Sequence, residues 1–165
     1  MSVLVGGEYE VRAQRPEHPG ITFRSMLEGQ WSAVWDALGL QWEFEPVRFD
    51  LPSGVYVPDF RITTADGFTF WIEVKGPWPN AREFEVASEI NLYHSPLLLL
   101  TGDVPRQPNG GTSWYFSSDR QWHMLRPVEA LHRLIHGDEG DDLPGWADAL
   151  DAARHTDLIK VGSSE

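Results

Sequence analysis

The 165-residue sequence contains no cysteine. That excludes disulfides, thiolate zinc sites and cysteine-ligated iron–sulfur clusters. Long hydrophobic runs are also missing: the longest, residues 96–100, is far too short to span a bilayer. No stretch near the N-terminus joins positive charge to an apolar segment of signal length, so a soluble, cytoplasmic protein is expected. Positive charge is scarce, with 13 Lys and Arg against 25 Asp and Glu and a formal net charge of −12. Neutralising phosphates with a basic surface supplies most non-specific affinity for nucleic acid. Tight, indiscriminate DNA binding is therefore disfavoured, whereas a local basic cleft, or a site that borrows positive charge from metal ions, is not.

What is present suffices for a packed core. Hydrophobic residues make up 41% of the chain and aromatics 12%, including eight tryptophans. The length suits one domain with short appendages. Residues 1–20, with Gly6-Gly7, Pro16 and Pro19, read as a loosely held N-terminal arm. Residues 21–136 read as the main domain, and 137–165 as an acidic linker (Asp138 to Asp142) with a last helix around 146–154.

Within the main domain, Phe23, Leu27, Trp31, Val34, Trp35 and Leu38 recur at helical spacing and predict a helix over 23–38, stopped by Gly39. Residues 41–47 alternate, with Trp42 and Phe44 on one face, and read as a strand. LPSG (51–54) is a turn, followed by strands over 55–63 and 68–75. A helix over 81–94 would bury Phe84, Ala87 and Ile90 and leave Glu83, Glu85 and Glu89 on a solvated face. The all-apolar run within 96–103 predicts a strand covered on both sides. Residues 113–118 and 121–125 suggest two more strands, and 128–136 a helix. The order α-β-β-β-α-β predicts an α/β fold with a mixed central sheet flanked by helices, plus a small C-terminal helical addition.

Two carboxylates sit inside this hairpin. A three-residue loop, Ala65-Asp66-Gly67 with Gly67 in the left-handed region, is a common hairpin connection. It pairs Thr64 with Phe68, and equal counts back along both strands pair Asp59 with Glu73. A two-residue Asp66-Gly67 turn would instead put Asp59 opposite Val74; the three-residue loop is preferred. Opposed like charges destabilise a sheet. Strand alternation puts Glu73 and Lys75 on one face, so Asp59, Glu73 and Lys75 converge amid Val55, Val57 and Trp71. A hard cation such as Mg²⁺ would relieve the repulsion, with Lys75 a positive charge beside a bound water and a phosphate. The plainer alternative is a surface salt bridge in which Lys75 neutralises both acids. Pro58 weighs against it, because proline within strands is confined to edges and bulges, and bulges often re-aim side chains at active sites.

Pro58-Asp59 followed by Glu73-Val74-Lys75 resembles the signature of the PD-(D/E)xK nuclease superfamily, which has the restriction-endonuclease-like fold. The preceding FRSMLEGQWSAVWDALGLQWEFEP resembles the opening of small phage and bacterial nucleases of that group, and the likeness covers about residues 22–101. It implies a Mg²⁺- or Mn²⁺-dependent enzyme that hydrolyses DNA phosphodiester bonds as an endonuclease, in the cytoplasm or, for a phage-encoded chain, the host's cytoplasm. Asp59 and Glu73 would be metal ligands with the Val74 carbonyl, Lys75 the catalytic lysine, and Glu28 the helix carboxylate of the site. Ser25-x-x-Glu28 is equally a capping box, in which Glu28 folds back on its own helix. DNA, whether duplex, single-stranded or branched, is the implied partner, with room for a homodimer or a protein partner.

Two further readings stand beside this one. The first is a catalytically silent nuclease-fold module that binds nucleic acid or a protein, and the second an acidic interaction protein with surface carboxylates. His132 and His136, four apart on a helix, could take a metal but lack a third ligand. Arg24, Arg48, Arg61, Trp78 and Arg82 could contact phosphates or bases, although each has a structural reading as well.

Overall fold

A computed structural model describes residues 10–13, 21–156 and 158–161. In chain order the elements are β1 (Glu10–Ala13), β2 (Thr22–Phe23), α1 (Met26–Ala37), β3 (Gln41–Phe44), β4 (Phe49–Leu51), β5 (Gly54–Tyr56), β6 (Phe60–Thr63) and β7 (Thr69–Lys75). Then come α2 (Ala81–Tyr93), β8 (Leu97–Thr101), β9 (Thr112–Phe116), β10 (Trp122–Leu125), α3 (Pro127–His136), α4 (Trp146–Arg154) and β11 (Leu158–Val161).

The central sheet has six strands in the order β10-β9-β8-β7-β6-β3. All neighbours are antiparallel except β7 and β8, which run parallel across the α2 crossover. The fold is thus mixed α/β with a mixed sheet, as the sequence pattern predicts. Alternation along β7 and β8 feeds two cores. Ile72, Val74, Leu98 and Leu100 face one, together with Trp31, Trp35, Leu131 and Trp146 from α1, α3 and α4. Trp71, Leu97 and Leu99 face the other, beneath Val86, Ala87 and Ile90 of α2. All five residues of β8 are buried, the reason its sequence carries no polar face.

Several boundaries differ from the sequence expectation. Ser25 adopts extended backbone and its side chain accepts from the Glu28 N–H, so α1 starts at Met26. Phe23 therefore falls in β2, although its side chain is fully buried as the helical stripe implied. The strand expected over 41–47 ends at Phe44, because Glu45 turns into the left-handed region at φ 48°. The segment 55–63 is not one strand: β5 pairs with β4 in a separate hairpin, and β6 begins after Pro58. Proline has no N–H to give a ladder, so the break falls there. In consequence Tyr56, not Val55 or Val57, is the side chain buried beside the site.

Of the expected N-terminal arm, residues 1–9 and 14–20 lie outside the described residues, while β1 pairs with β2 and β11. At the other end α4 packs on α1, with the Trp146 and Trp31 ring centroids 6.4 Å apart. No described helix is long and apolar enough to cross a membrane.

Candidate functional site

The turn between β6 and β7 fixes the register of the hairpin. Thr64 N donates to Phe68 O at 2.8 Å and Gly67 N to Thr64 O at 3.0 Å, with Gly67 at φ +88° as a three-residue loop requires. The ladder runs from Thr63↔Thr69 to Phe60↔Ile72. One step further it places Asp59 opposite Glu73, and the alternative pairing with Val74 is absent. Both side chains are buried, at 0% and 2% exposure. Each carboxylate accepts a backbone N–H from the other strand: Asp59 Oδ2 from Val74 N at 2.8 Å, Glu73 Oε1 from Asp59 N at 3.2 Å.

Burial pushes the Glu73 carboxyl above its ordinary value, and the charge of Glu28 adds to the shift. Tyr56 completes this wall. Burial first, and then the surrounding charges of Glu73, Asp59 and Glu83, hold its phenol well above the usual range. It remains a protonated donor, hydrogen-bonded to the Glu73 carboxylate. The sequence reading missed Tyr56; its place three residues before Asp59 is the available signal, hidden by taking 55–63 as one strand.

Lys75 shares the Glu73 face, as strand alternation requires. Its ion pair, however, is with Glu83 of α2 and not with the opposed acids. Glu83 also closes a capping box with Asn80, each side chain accepting the other's backbone N–H at 2.8 Å. Burial works to raise the Glu83 carboxyl, but the Lys75 and Asn80 hydrogen bonds outweigh it and hold it below its ordinary value. Glu83 is therefore not part of a simple solvated face. The Gly76–Pro79 loop and the cap together bring the start of α2 back over the end of β7.

Glu28 is 3% exposed at the first turn of α1. Its N–H donates to Ser25 Oγ at 3.1 Å, but its Oε1 accepts from Arg24 N at 2.8 Å, one residue earlier than a reciprocal capping box would give. Its charge raises both Glu73 and Glu45. Glu45 was absent from the sequence reading. Its N–H donates to Asp59 O at 2.7 Å, extending the β3–β6 ladder, and its carboxylate lies 3.1 Å from the Arg24 guanidinium. Desolvation raises the Glu45 carboxyl, Arg24 opposes the shift, and Glu28 reinforces it. Finding this acid needs the β3–β6 register, which no tight turn sets.

The structure thus brings Asp59, Glu73, Tyr56 and the Val74 backbone into direct contact, with Lys75–Glu83 at the strand end and Glu28 within electrostatic reach. Among the described residues no three Asp, Glu or His side chains form one ligand group, so Glu28 does not join Asp59 and Glu73 in a single shell. The His132 and His136 rings are 4.7 Å apart on α3, and they too lack such a group. Arg61 is held twice by Glu43 at 2.8 Å and lies over Trp71, a structural role. Arg48 sits exposed, 3.5 Å from Asp50. A scan against protein-family models finds no match, and no curated protein matches the sequence.

Proposed function

We propose that the protein is a Mg²⁺- or Mn²⁺-dependent nuclease with a restriction-endonuclease-like core, hydrolysing DNA phosphodiester bonds. The observation that carries this reading is the buried, directly opposed Asp59–Glu73 pair with Lys75 on the same strand face. The donor set fits a hard cation. Mg²⁺ is usually held by one or two carboxylates and keeps several waters, so two buried acids are enough without a third ligand. When bound, such a cation supplies an activated water and charge stabilisation at the phosphoryl oxygens.

The chain's own groups have distinct tasks. Val74 N–H fixes the Asp59 carboxylate, and the Asp59 N–H and Tyr56 hydroxyl orient that of Glu73. Lys75 would turn from Glu83 toward the phosphate, placing an ammonium where negative charge develops. In the hydrolysis a water oxygen bonds to phosphorus, one bridging P–O bond breaks, and the leaving oxygen takes up a proton.

A second reading, a nuclease-fold module that binds without cutting, is favoured by one observation: the ammonium of Lys75 is already engaged by Glu83. A cleavage panel of duplex, single-stranded and branched DNA and RNA, with Mn²⁺ or a chelator, separates the two. Metal-dependent cutting that Asp59→Asn abolishes supports hydrolysis, whereas binding without cutting supports the module.

A further inference from the structure

We propose that Glu45 is a positioning residue of the carboxylate site: it ties up the Arg24 guanidinium, so that this internal cation does not neutralise Glu28 in place of a metal. This rests on reading Asp59 and Glu73, with Glu28 in electrostatic reach, as a metal-dependent site.

A continuous chain of contacts joins Glu28, Glu45, Asp59 and Glu73. Glu28 Oε1 accepts from Arg24 N at 2.8 Å, and Arg24 Nη1 lies 3.1 Å from Glu45 Oε2. Glu45 N donates to Asp59 O at 2.7 Å, and Asp59 N donates to Glu73 Oε1 at 3.2 Å. Arg24 therefore meets one acid through its amide and another through its side chain. The charges of Arg24 and Glu28 both act on Glu45, and that of Glu28 acts on Glu73 as well.

The backbone indicates that Glu45 is kept for its side chain. Its φ of 48° lies in the left-handed region, which glycine and asparagine enter far more readily than glutamate. A residue in that region persists where its surroundings over-determine it. The Asp59 carbonyl holds the Glu45 amide, but the same bond would serve a glycine. What glycine lacks is the carboxylate on Arg24, whose Oε2 is shut off from water.

Without that carboxylate, the guanidinium has a substitute close by. The Arg24 amide already touches the Glu28 carboxylate, so the arginine side chain departs from a backbone beside that acid. A guanidinium stays charged at every relevant pH and its planar fork matches a carboxylate. Glu28 is 3% exposed, and water screens a buried pair little. Paired with Arg24, Glu28 would add no net charge to the Asp59–Glu73 pair, and a metal from solution would compete with a cation tethered in place. Glu45 settles that competition by giving Arg24 a partner of its own. An ordinary salt bridge pinning the end of β3 to the start of α1 would use the same two residues, but would leave metal affinity untouched.

The test compares wild type with Glu45→Gln, Glu45→Gly, Arg24→Gln and the combination of Arg24→Gln with Glu45→Gln. Each is measured by calorimetric Mn²⁺ titration, by melting in chelator and by Mn²⁺-dependent DNA cleavage. Glu45→Gln releases the guanidinium, so Mn²⁺ affinity should fall about tenfold, the order expected for cancelling one charge near the metal. Its melting temperature in chelator should hold or rise. Glu45→Gly, which suits the left-handed turn, should lose Mn²⁺ affinity to the same extent. Arg24→Gln should bind Mn²⁺ at least as tightly as wild type, and the combined variant should recover wild-type affinity. That recovery separates positioning from ligation, because removing Arg24 restores nothing if Glu45 is itself a ligand. Unchanged affinity in Glu45→Gln, or no recovery in the combined variant, overturns the proposal and leaves the hydrolysis reading standing. The full pattern of loss and recovery without any cleavage keeps the role of Glu45 and sinks hydrolysis alone. A wild type that binds no Mn²⁺ removes both.

Discussion

Asp59 and Glu73 face one another across β6 and β7, and each carboxylate is fastened by an amide of the opposite strand, at 2.8 Å for Asp59 and 3.2 Å for Glu73. Two buried acids are therefore fixed at a separation that neither can relax by swinging into water. A sheet gains nothing from such a pair, since like charges directly opposed destabilise it. The arrangement concentrates negative charge between two strands, and the predictions below measure what that charge does.

The first concerns metal. Millimolar Mn²⁺ should raise the melting temperature by about 5–10 °C where it stands near a hundredfold above its Kd. Asp59→Asn should abolish that rise without loss of fold, because the asparagine carbonyl can still accept from Val74 N–H. Thermal-shift titrations of both proteins check this, and equal responses would remove the paired-carboxylate site.

The second concerns pH. Glu73 has a folded pKa raised above its ordinary 4.5, mainly by burial. The sign follows: its contribution to stability is fully present below the unfolded value and is lost as pH rises through the folded one. In chelator, the advantage of Glu73→Gln over wild type should therefore be greatest near neutrality and shrink on mild acidification. Urea melts of the two proteins across that range test it. Adding Mn²⁺ should reverse the trend for wild type alone, since metal competes with the proton.

Glu28 separates capping from catalysis. Its Oε1 accepts from Arg24 N–H, a bond glutamine can also make, so Glu28→Gln should leave the melting temperature nearly unchanged. If the carboxylate charge serves the site, cleavage should fall at least tenfold and the Glu73 titration should move toward its ordinary value. Full activity in Glu28→Gln takes this residue out of the site.

Lys75→Ala should lower cleavage by orders of magnitude, through loss of charge stabilisation at the phosphoryl oxygens. Affinity for Mn²⁺, read by calorimetry, should hold or rise, because a cation beside two carboxylates has gone. Glu83→Gln makes a complementary forecast. It frees the Lys75 ammonium from its ion pair while keeping the Asn80 cap bond, so cleavage should survive. A Lys75→Ala protein that cuts at the wild-type rate would be fatal to the mechanism.

The sequence by itself determined what local geometry dictates. A three-residue loop with glycine at its left-handed position sets a hairpin register, and a period of two then decides which side chains face one another. That is why the Asp59–Glu73 opposition and the shared face of Glu73 and Lys75 could be counted from the chain. The apolar run of β8 and the spacing in α1 and α2 were legible for the same reason, since burial on one face or two leaves its own periodicity. The tertiary structure alone decided how these pieces meet. Glu45 reaches Asp59 through the β3–β6 pairing, across a connection long enough to permit several registers. Tyr56 reaches Glu73 only because Pro58 splits the expected strand, and Lys75 finds Glu83 only because the capped start of α2 folds back over β7. Trp146 of α4 joins Trp31 in the core beneath the sheet, far from it in sequence. Such contacts depend on how helices dock and loops close, which is set by the packing of the whole core and leaves no period in the sequence to read.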